Sequence, residues 1–286
     1  MSSRTGSTTQ RPEVRRAAVV THGHRETSVE ALARLRAVAK EREIELLFPR
    51  DEIAKHGDGS EAEVSDADLA VVLGGDGTML RALDRFLGTS VPVIGVNLGR
   101  VGFLTSVEPG ALEEELGRAF AGEFEVAELP ALEAATGNGR WPAVNDVVIA
   151  SSTVGRMIEL GWELGGEDLG AEPCDGLICS TPSGSTAYNL SNGGPVLVWG
   201  LDAMAITFIA PHSLHARSLV APRELTLTVT NRTPDLAATV LADGHAVHEL
   251  GPGDKVDARL SGQRSLLAML PEKTFFRRYR RVFVAE

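Results

Sequence analysis

The chain has 286 residues, and its 28 Lys and Arg against 39 Asp and Glu give a formal net charge of −11. A field of that sign repels nucleic acid and anionic membrane surfaces, so neither is an expected partner. With 43% hydrophobic residues the chain can fill one large domain or two ordinary ones, while no apolar run reaches the roughly 20 residues that cross a bilayer.

Residues 1–13, rich in Ser, Thr and Arg and without periodicity, read as a disordered leader. Met1 to Arg16 holds no apolar signal core, which points to a cytoplasmic protein. Ala17 to Val20 is a short strand, turned at His22-Gly23. Thr27 with Glu30 forms a capping-box signature, followed by Val29, Leu32, Leu35 and Val38 at helical spacing. Ile44 to Phe48 is a second strand closed by Pro49, and Gly57 to Ser65 is a polar connection. Leu69 to Leu73 is the uninterrupted apolar run of a strand covered on both faces, and it leads directly into G-G-D-G-T.

That turn carries chemistry. Gly74, Gly75 and Gly77 lack a Cβ, so positive φ is open to them and phosphates can approach their N–H groups. Thr78 and the helix that follows, Met79 to Leu87, add further donors and a positive dipole end. Asp76 sits at the centre of this anion-favouring loop. Its charge makes sense if it binds a metal already on the phosphates, or accepts a proton from a hydroxyl that attacks them. The competing reading is a tight turn with Asp76 as helix N-cap. Val91 to Val96 is another strand, and N-L-G-R-V-G-F-L-T (97–105) repeats the pattern of glycines after a strand end. Its plainer reading is a connection anchored by Phe103 and Leu104. Pro109 opens a helix to about Ala121. Strands alternating with helices predict a parallel sheet with its ligand site at the carboxyl ends of the strands.

Beyond Phe124 the period changes to two. Leu225, Leu227 and Val229 alternate with threonines, and Val256, Ala258 and Leu260 alternate with Asp257 and Arg259, which predicts a mainly β region. Asn145 and Asp146 open a strand with donors and acceptors suited to a purine edge or ribose, or else cap their own turn. Cys174 and Cys179 stand about 16 Å apart on an extended segment, so free thiols are expected. Leu177 to Cys179 empties into Ser180, Thr181, Ser183, Ser185 and Thr186, hydroxyls suited to a dinucleotide's phosphates or riboses, with Tyr188 offering a stacking face. No G-x-S-x-G elbow is present. His212 and His215 lack zinc-protease spacing. Lys273 to Arg281 is a basic and aromatic run, expected as an ordered, salt-bridged tail.

Taken in order, G-G-D-G-T, N-L-G-R-V-G-F-L-T, N-D-V-V-I, D-G-L-I-x-S-T-P-S-G-S-T-A-Y, G-G-P and P-H-S-L closely resemble the bacterial NAD kinase family, from about Ala17 to Phe283. The resemblance implies a Rossmann-like parallel α/β domain over residues 14–123 with a returning tail at 268–286. It implies a β-sandwich-like, NAD-binding domain over residues 124–267. It further implies phosphorylation of the adenosine-ribose 2′-hydroxyl of NAD by ATP, with a divalent metal, Mg2+ first among candidates, in a homodimer or homotetramer. Polyphosphate is an alternative donor. By the same resemblance Asp76 is the proton acceptor beside Gly77. NAD would be held by Asn145, Asp146, Arg156, Asp175, Thr186, Ala187, Tyr188, Asn189, Leu190, Ser191 and His245. The metal ligands are not assigned. A lipid kinase shares G-G-D-G-T but lacks the T-P-S-G-S-T-A-Y block. A catalytically silent dinucleotide sensor would have little reason to keep Asp76.

Overall fold

A computed structural model describes residues 12–57, 60–61, 64–99 and 102–284. Most of the expected leader, and Arg100 and Val101 of the second glycine loop, lie outside the described residues. The chain forms two compact units, Met1–Ala127 with Leu266–Glu286, and Glu128–Ser265.

The first unit alternates strand and helix. In order it holds β1 (Arg16–Thr21), α1 (Val29–Glu41), β2 (Glu45–Phe48), α2 (Arg50–His56), β3 (Ser60–Glu61), β4 (Leu69–Gly74), α3 (Asp76–Arg85), β5 (Val93–Asn97) and α4 (Leu112–Phe120). The strands pair in parallel in the order β3-β2-β1-β4-β5. The order in which strands are added reverses between β1 and β4, and in such sheets ligands sit outside the carboxyl ends at that switch point. The G-G-D-G-T turn leaves β4 there. Every residue of β4 is buried, as expected for a strand covered on both faces. Leu69, Val71, Leu73, Ile94 and Val96 pack with Leu32, Leu35, Leu112 and Leu116 of α1 and α4 in one core cluster. Met79 of α3 lies over Gly95.

Two local features depart from expectation. The Thr27–Glu30 capping box does not form, because Arg25–Thr27 winds into a 3-10 turn and Ser28 becomes the residue before α1, with no side-chain cap. Helix α2 escaped the sequence reading because it is short and polar. It starts after Pro49 and buries Glu52, which accepts the N–H of Thr21 at 3.1 Å and its hydroxyl at 2.6 Å, with Lys55 at 2.9 Å.

The second unit is antiparallel. Its strands are β6 (Glu125–Thr136), which begins just before the unit boundary, β7 (Gly139–Ala143), β8 (Asp146–Ser151), β9 (Ile158–Leu164), β10 (Glu167–Cys174), β11 (Gly176–Ser180), β12 (Ala203–Ile209), β13 (Leu219–Pro222), β14 (Leu227–Asn231), β15 (Ala238–Ala242), β16 (His245–Leu250) and β17 (Lys255–Met269), with helix α5 (Tyr188–Ser191) after β11. One sheet runs β13-β12-β11-β8-β15-β16, and β10-β9-β14-β17 pair in the other. Their inward residues share one core: Val147, Ile149, Leu177 and Ile206 from the first sheet, Leu160, Leu227, Val229 and Val256 from the second. This is the mainly β region that the period-two alternation predicts, built as the sandwich that the family resemblance implies. The last residues of β17 return to the first unit, where Leu267 pairs in parallel with Val93, and helix α6 (Phe275–Phe283) follows.

Two substitutions test this account of α1. Leu35→Ala, at a fully buried position, is expected to cost about 2–5 kcal/mol in urea unfolding. Thr27→Ala should stay within about 0.5 kcal/mol. A loss near 1 kcal/mol, the usual value of an N-cap, would mean that the capping box forms after all.

Candidate functional site

In the first unit the site is built around one carboxylate. Gly75 is extended at φ −101°, ψ −168° and hands the chain to α3, whose first residue is Asp76. None of Gly74, Gly75 and Gly77 adopts positive φ. The turn is made by a strand passing straight into a helix, which needs no left-handed residue. Nor does Thr78 offer a donor, because its N–H already bonds the Gly75 carbonyl at 2.9 Å. The N–H groups of Asp76 and Gly77, in the first helical turn, are left without a backbone partner among the described residues.

The Asp76 side chain does not cap its helix. Oδ2 accepts the N–H of Phe103 at 2.6 Å, and Oδ1 accepts those of Leu104 at 3.1 Å and Thr105 at 3.4 Å. Three consecutive amides of the second glycine loop therefore converge on one carboxylate. Gly102 makes this approach possible, since a Cβ there would collide with the Asp76 carboxylate. The outer side of the loop is held by Arg278 of α6, 3% exposed, whose Nη1 donates to the carbonyls of Phe103 and Thr105 at 2.7 Å each. Burial and repulsion from Arg281 push this guanidinium down to about 10, against the pull of Asp76, so it is a cation at neutral pH.

In the second unit a similar device shapes Asn145 and Asp146. Asp243, in the β15–β16 turn at φ 47°, accepts the N–H of Val144 and Asn145 at 2.7 Å each and of Asp146 at 3.1 Å. On another side, the Thr181 hydroxyl donates to the Val144 carbonyl at 2.7 Å and Ser183 does so at 3.1 Å. Gly184 lies so close that a Cβ would strike the Asn145 backbone. The result is a rigid corner in which Asn145 Oδ1 is buried with no hydrogen-bond partner among the described residues. Asp146 is 6% exposed. Burial first, and the Asp243 charge second, raise its carboxyl to about 7.

The hydroxyl cluster corrects an expectation. Thr181, Ser183 and Ser185 are buried and bond within the fold, Ser185 donating to the Pro182 carbonyl at 2.7 Å. They brace the loop rather than face a ligand, and only Thr186 is half-buried. Asn189 is likewise internal: its amide donates to the carbonyls of Ser185 and Pro195, and its oxygen accepts from Thr207 at 2.8 Å. Tyr188, 46% exposed, Ser191, Asp175 and His245 face solvent, with Ala187 and Leu190 half-buried. Arg156 is exposed and 3.9 Å from Asp235. His212 and His215 join no metal-binding group among the described residues, and both cysteines are buried free thiols. Sequence reading missed Gly102, Asp243 and Arg278 as organisers. For Asp243 the Asp-Gly turn was a visible signal, whereas Arg278 was one of four arginines in the tail.

Residues 6–124 match the family model described as the ATP-NAD kinase N-terminal domain, and residues 144–268 match that of the ATP-NAD kinase C-terminal domain. An NAD kinase of Heliobacterium modesticaldum is 37% identical over 268 residues, covering 91% of this chain and 95% of that protein. One of Geobacter sulfurreducens is 36% identical over 234 residues, covering 78% and 82%. Among solved structures, an NAD kinase from Archaeoglobus fulgidus in complex with ATP superposes with a TM-score of 0.73 at 29% identity, covering 94% of this chain and 97% of that one. Yeast NADH kinase complexed with NADH shares the fold at a TM-score of 0.82 and 21% identity, covering 96% and 89%.

The Asp146 carboxyl yields a pH test. Its folded value lies above the ordinary 3.8, so the folded state favours the proton. The stability it contributes is complete below about pH 4 and is lost as pH rises through about 7. Asp146→Asn, neutral throughout, should remove this part of the decline. Urea unfolding of both proteins between about pH 5 and about pH 8 checks it. Parallel stability curves would mean that Asp146 is ionised across the whole range.

Proposed function

The chain belongs to the ATP-NAD kinase family, and from that premise we propose how its residues carry out the reaction. It is a kinase that phosphorylates NAD to NADP with ATP as donor. The observation that carries the residue-level reading is the Asp76 carboxylate, fixed at the switch point of the parallel sheet by three loop amides.

In our reading the adenosine-ribose 2′-hydroxyl of NAD passes its proton to Asp76 as its oxygen attacks the γ-phosphorus of ATP, and ADP leaves. A carboxylate offers about four lone-pair sites, so three N–H bonds leave one for this hydroxyl. The amides fix the carboxylate before substrate arrives, the preorganisation that makes electrostatic catalysis effective. The N–H groups of Asp76 and Gly77, at the positive end of α3, face the transferring phosphate. Asn145 and Asp146 hold the NAD adenosine: the unpartnered Asn145 oxygen fits a hydroxyl or amino donor, and Asp146 supplies an acid or a carboxylate near neutral pH. Tyr188 stacks on a base, with His245, Arg156, Asp175, Thr186, Ala187, Leu190, Ser191 and the Asn189 backbone around the dinucleotide.

The residues fit a divalent metal that arrives on ATP. Among the described residues no group of three His, Cys, Asp or Glu side chains is gathered to hold one, and Mg2+ is commonly held by one or two carboxylates together with substrate phosphates. Mg2+ would be held chiefly by the ATP phosphates and would neutralise their charge, while the remaining lone pair of Asp76 is kept for the hydroxyl. Polyphosphate as a further donor follows the same chemistry. We place the enzyme in the cytoplasm, where both substrates are made and used. We infer a homodimer or homotetramer, supported by the edge strand β13, where Leu219 and Val220 are 39% and 45% exposed.

Asp76→Asn should lower kcat at least about a hundredfold while NAD affinity stays within about tenfold. Because an amide offers one oxygen to three N–H groups, it should also lower stability by about 1–3 kcal/mol. Initial rates, calorimetric NAD binding and thermal melting on this variant check all three. A folded variant with most of its kcat would remove Asp76 from the chemistry. Tyr188→Ala should raise KM for NAD about tenfold to a hundredfold, with KM for ATP little changed. An unaltered KM for NAD would leave the ring a surface residue.

A further inference from the structure

The first unit contains a cavity of about 180 Å³, lined by Thr105, Ser106, Glu272, Lys273, Arg277, Arg278 and Arg281. Four cations face one carboxylate, in a chain whose overall charge is −11. The outer ring does not cancel them. Glu272 is held by Arg118 at 2.7 Å, Lys273 lies 3.0 Å from Glu115, and Arg281 lies 3.5 Å from Glu108. Counting these partners together with Glu123, 3.0 Å from Arg118, cations outnumber carboxylates five to four. Arg277 is exposed and forms no ion pair among the described residues.

The cavity wall supplies an independent observation. Thr105 and Ser106, 2% and 6% exposed, carry hydroxyls with no hydrogen-bond partner among the described residues. A buried hydroxyl left unbonded is costly, and most such groups find a partner in protein, water or ligand. Hydroxyls beside clustered guanidinium and ammonium groups suit a ligand that accepts every hydrogen bond.

We propose that this cavity binds a small polyvalent oxyanion, of the size of pyrophosphate or a tricarboxylate, between the Thr105–Ser106 loop segment and helix α6. Its volume equals that of about six waters of bulk liquid, too little for a nucleotide. Lys273, Arg277 and Arg281 supply the charge, and Thr105 and Ser106 supply neutral donors. The ligand also lies against Arg278, which holds the carbonyls of Phe103 and Thr105. Their loop amides hold Asp76, so occupancy is linked to the Asp76 cradle through two layers of hydrogen bonds. Binding to the folded state must raise its stability, and repulsion between Arg278 and Arg281 is relieved when an anion lies between them.

The test uses the full chain with saturating NAD, titrated calorimetrically with pyrophosphate and separately with citrate, alongside thermal melting. Expected are binding of at least one of the two anions at one site per chain and a raised melting temperature. Which anion binds distinguishes a phosphate ligand from a carboxylate one. Ser106→Ala leaves charge unchanged and should weaken that binding about tenfold without lowering the melting temperature of the free protein. Arg277→Gln with Arg281→Gln should weaken it at least about tenfold. No binding of either anion by the unaltered chain would overturn the proposal. So would equal affinity in both variants, which would locate the anion elsewhere.

Discussion

A carboxylate that accepts three consecutive backbone N–H groups is the constraint on which both halves of the molecule depend. Asp76 gathers the amides of Phe103, Leu104 and Thr105, and Asp243 gathers those of Val144, Asn145 and Asp146. Each joins segments remote in sequence, separated by 27 residues for Asp76 and Phe103 and by 98 for Asp243 and Asn145. Amides pointing at one centre would otherwise need water or a ligand. A carboxylate satisfies them with charge-assisted bonds, each stronger than a neutral one. The backbone around each site is thus set before any substrate is present. The two acids differ in what else they do. Asp243 raises the carboxyl of its neighbour Asp146, while Asp76 stands just past the carboxyl end of β4 as the residue proposed to take the hydroxyl proton.

Electrostatics follow from the same arrangement. Gathering a loop around Asp76 leaves its carbonyls facing outward, and a cation is the natural answer to two carbonyls at once. Arg278 bonds both at 2.7 Å while almost wholly buried. In the second unit the fixed charge of Asp243 has an opposite consequence. A second carboxylate, Asp146, lies beside it in a desolvated corner and takes a proton near neutrality. Asp243 accepts three amides, and its neighbour Asp146 is driven toward the protonated form by burial first and by Asp243 second.

Local pattern disclosed the elements, and distance along the chain hid the site's supports. The run Leu69 to Leu73 and the alternation at Leu227 and Val229 state their burial directly, so the parallel and antiparallel halves were legible. The G-G-D-G-T turn was legible as a site, though not in conformation, because glycine permits positive φ without requiring it. Thr181, Ser183 and Ser185 looked like ligand donors because a sequence shows polarity and not direction. Thr181 and Ser183 bond the Val144 carbonyl, 37 and 39 residues away between β7 and β8. The Thr27–Glu30 signature failed for a local reason: a 3-10 turn ended one residue before the helix and moved the cap to Ser28.

The tail shows why such support residues matter to function. Lys273 to Arg281 reads as an ordered, salt-bridged tail, and within it Phe275 and Arg278 are buried at one helix face. Positions three apart lie on the same side of a helix. Phe275 meets the Phe103 ring at 5.3 Å, and Arg278 takes the carbonyls of the same loop. One helix therefore grips the loop by an apolar contact and an ionic one, and that loop fixes Asp76. The aromatic contact excludes water from around the guanidinium, which strengthens its hydrogen bonds as it raises the cost of its burial. A conservative Lys at position 278 would keep the charge but lose the planar fork that reaches two carbonyls at once. The geometry of the Asp76 carboxylate is consequently set in part by residues some two hundred positions downstream of it, which no reading of the glycine turn alone can supply.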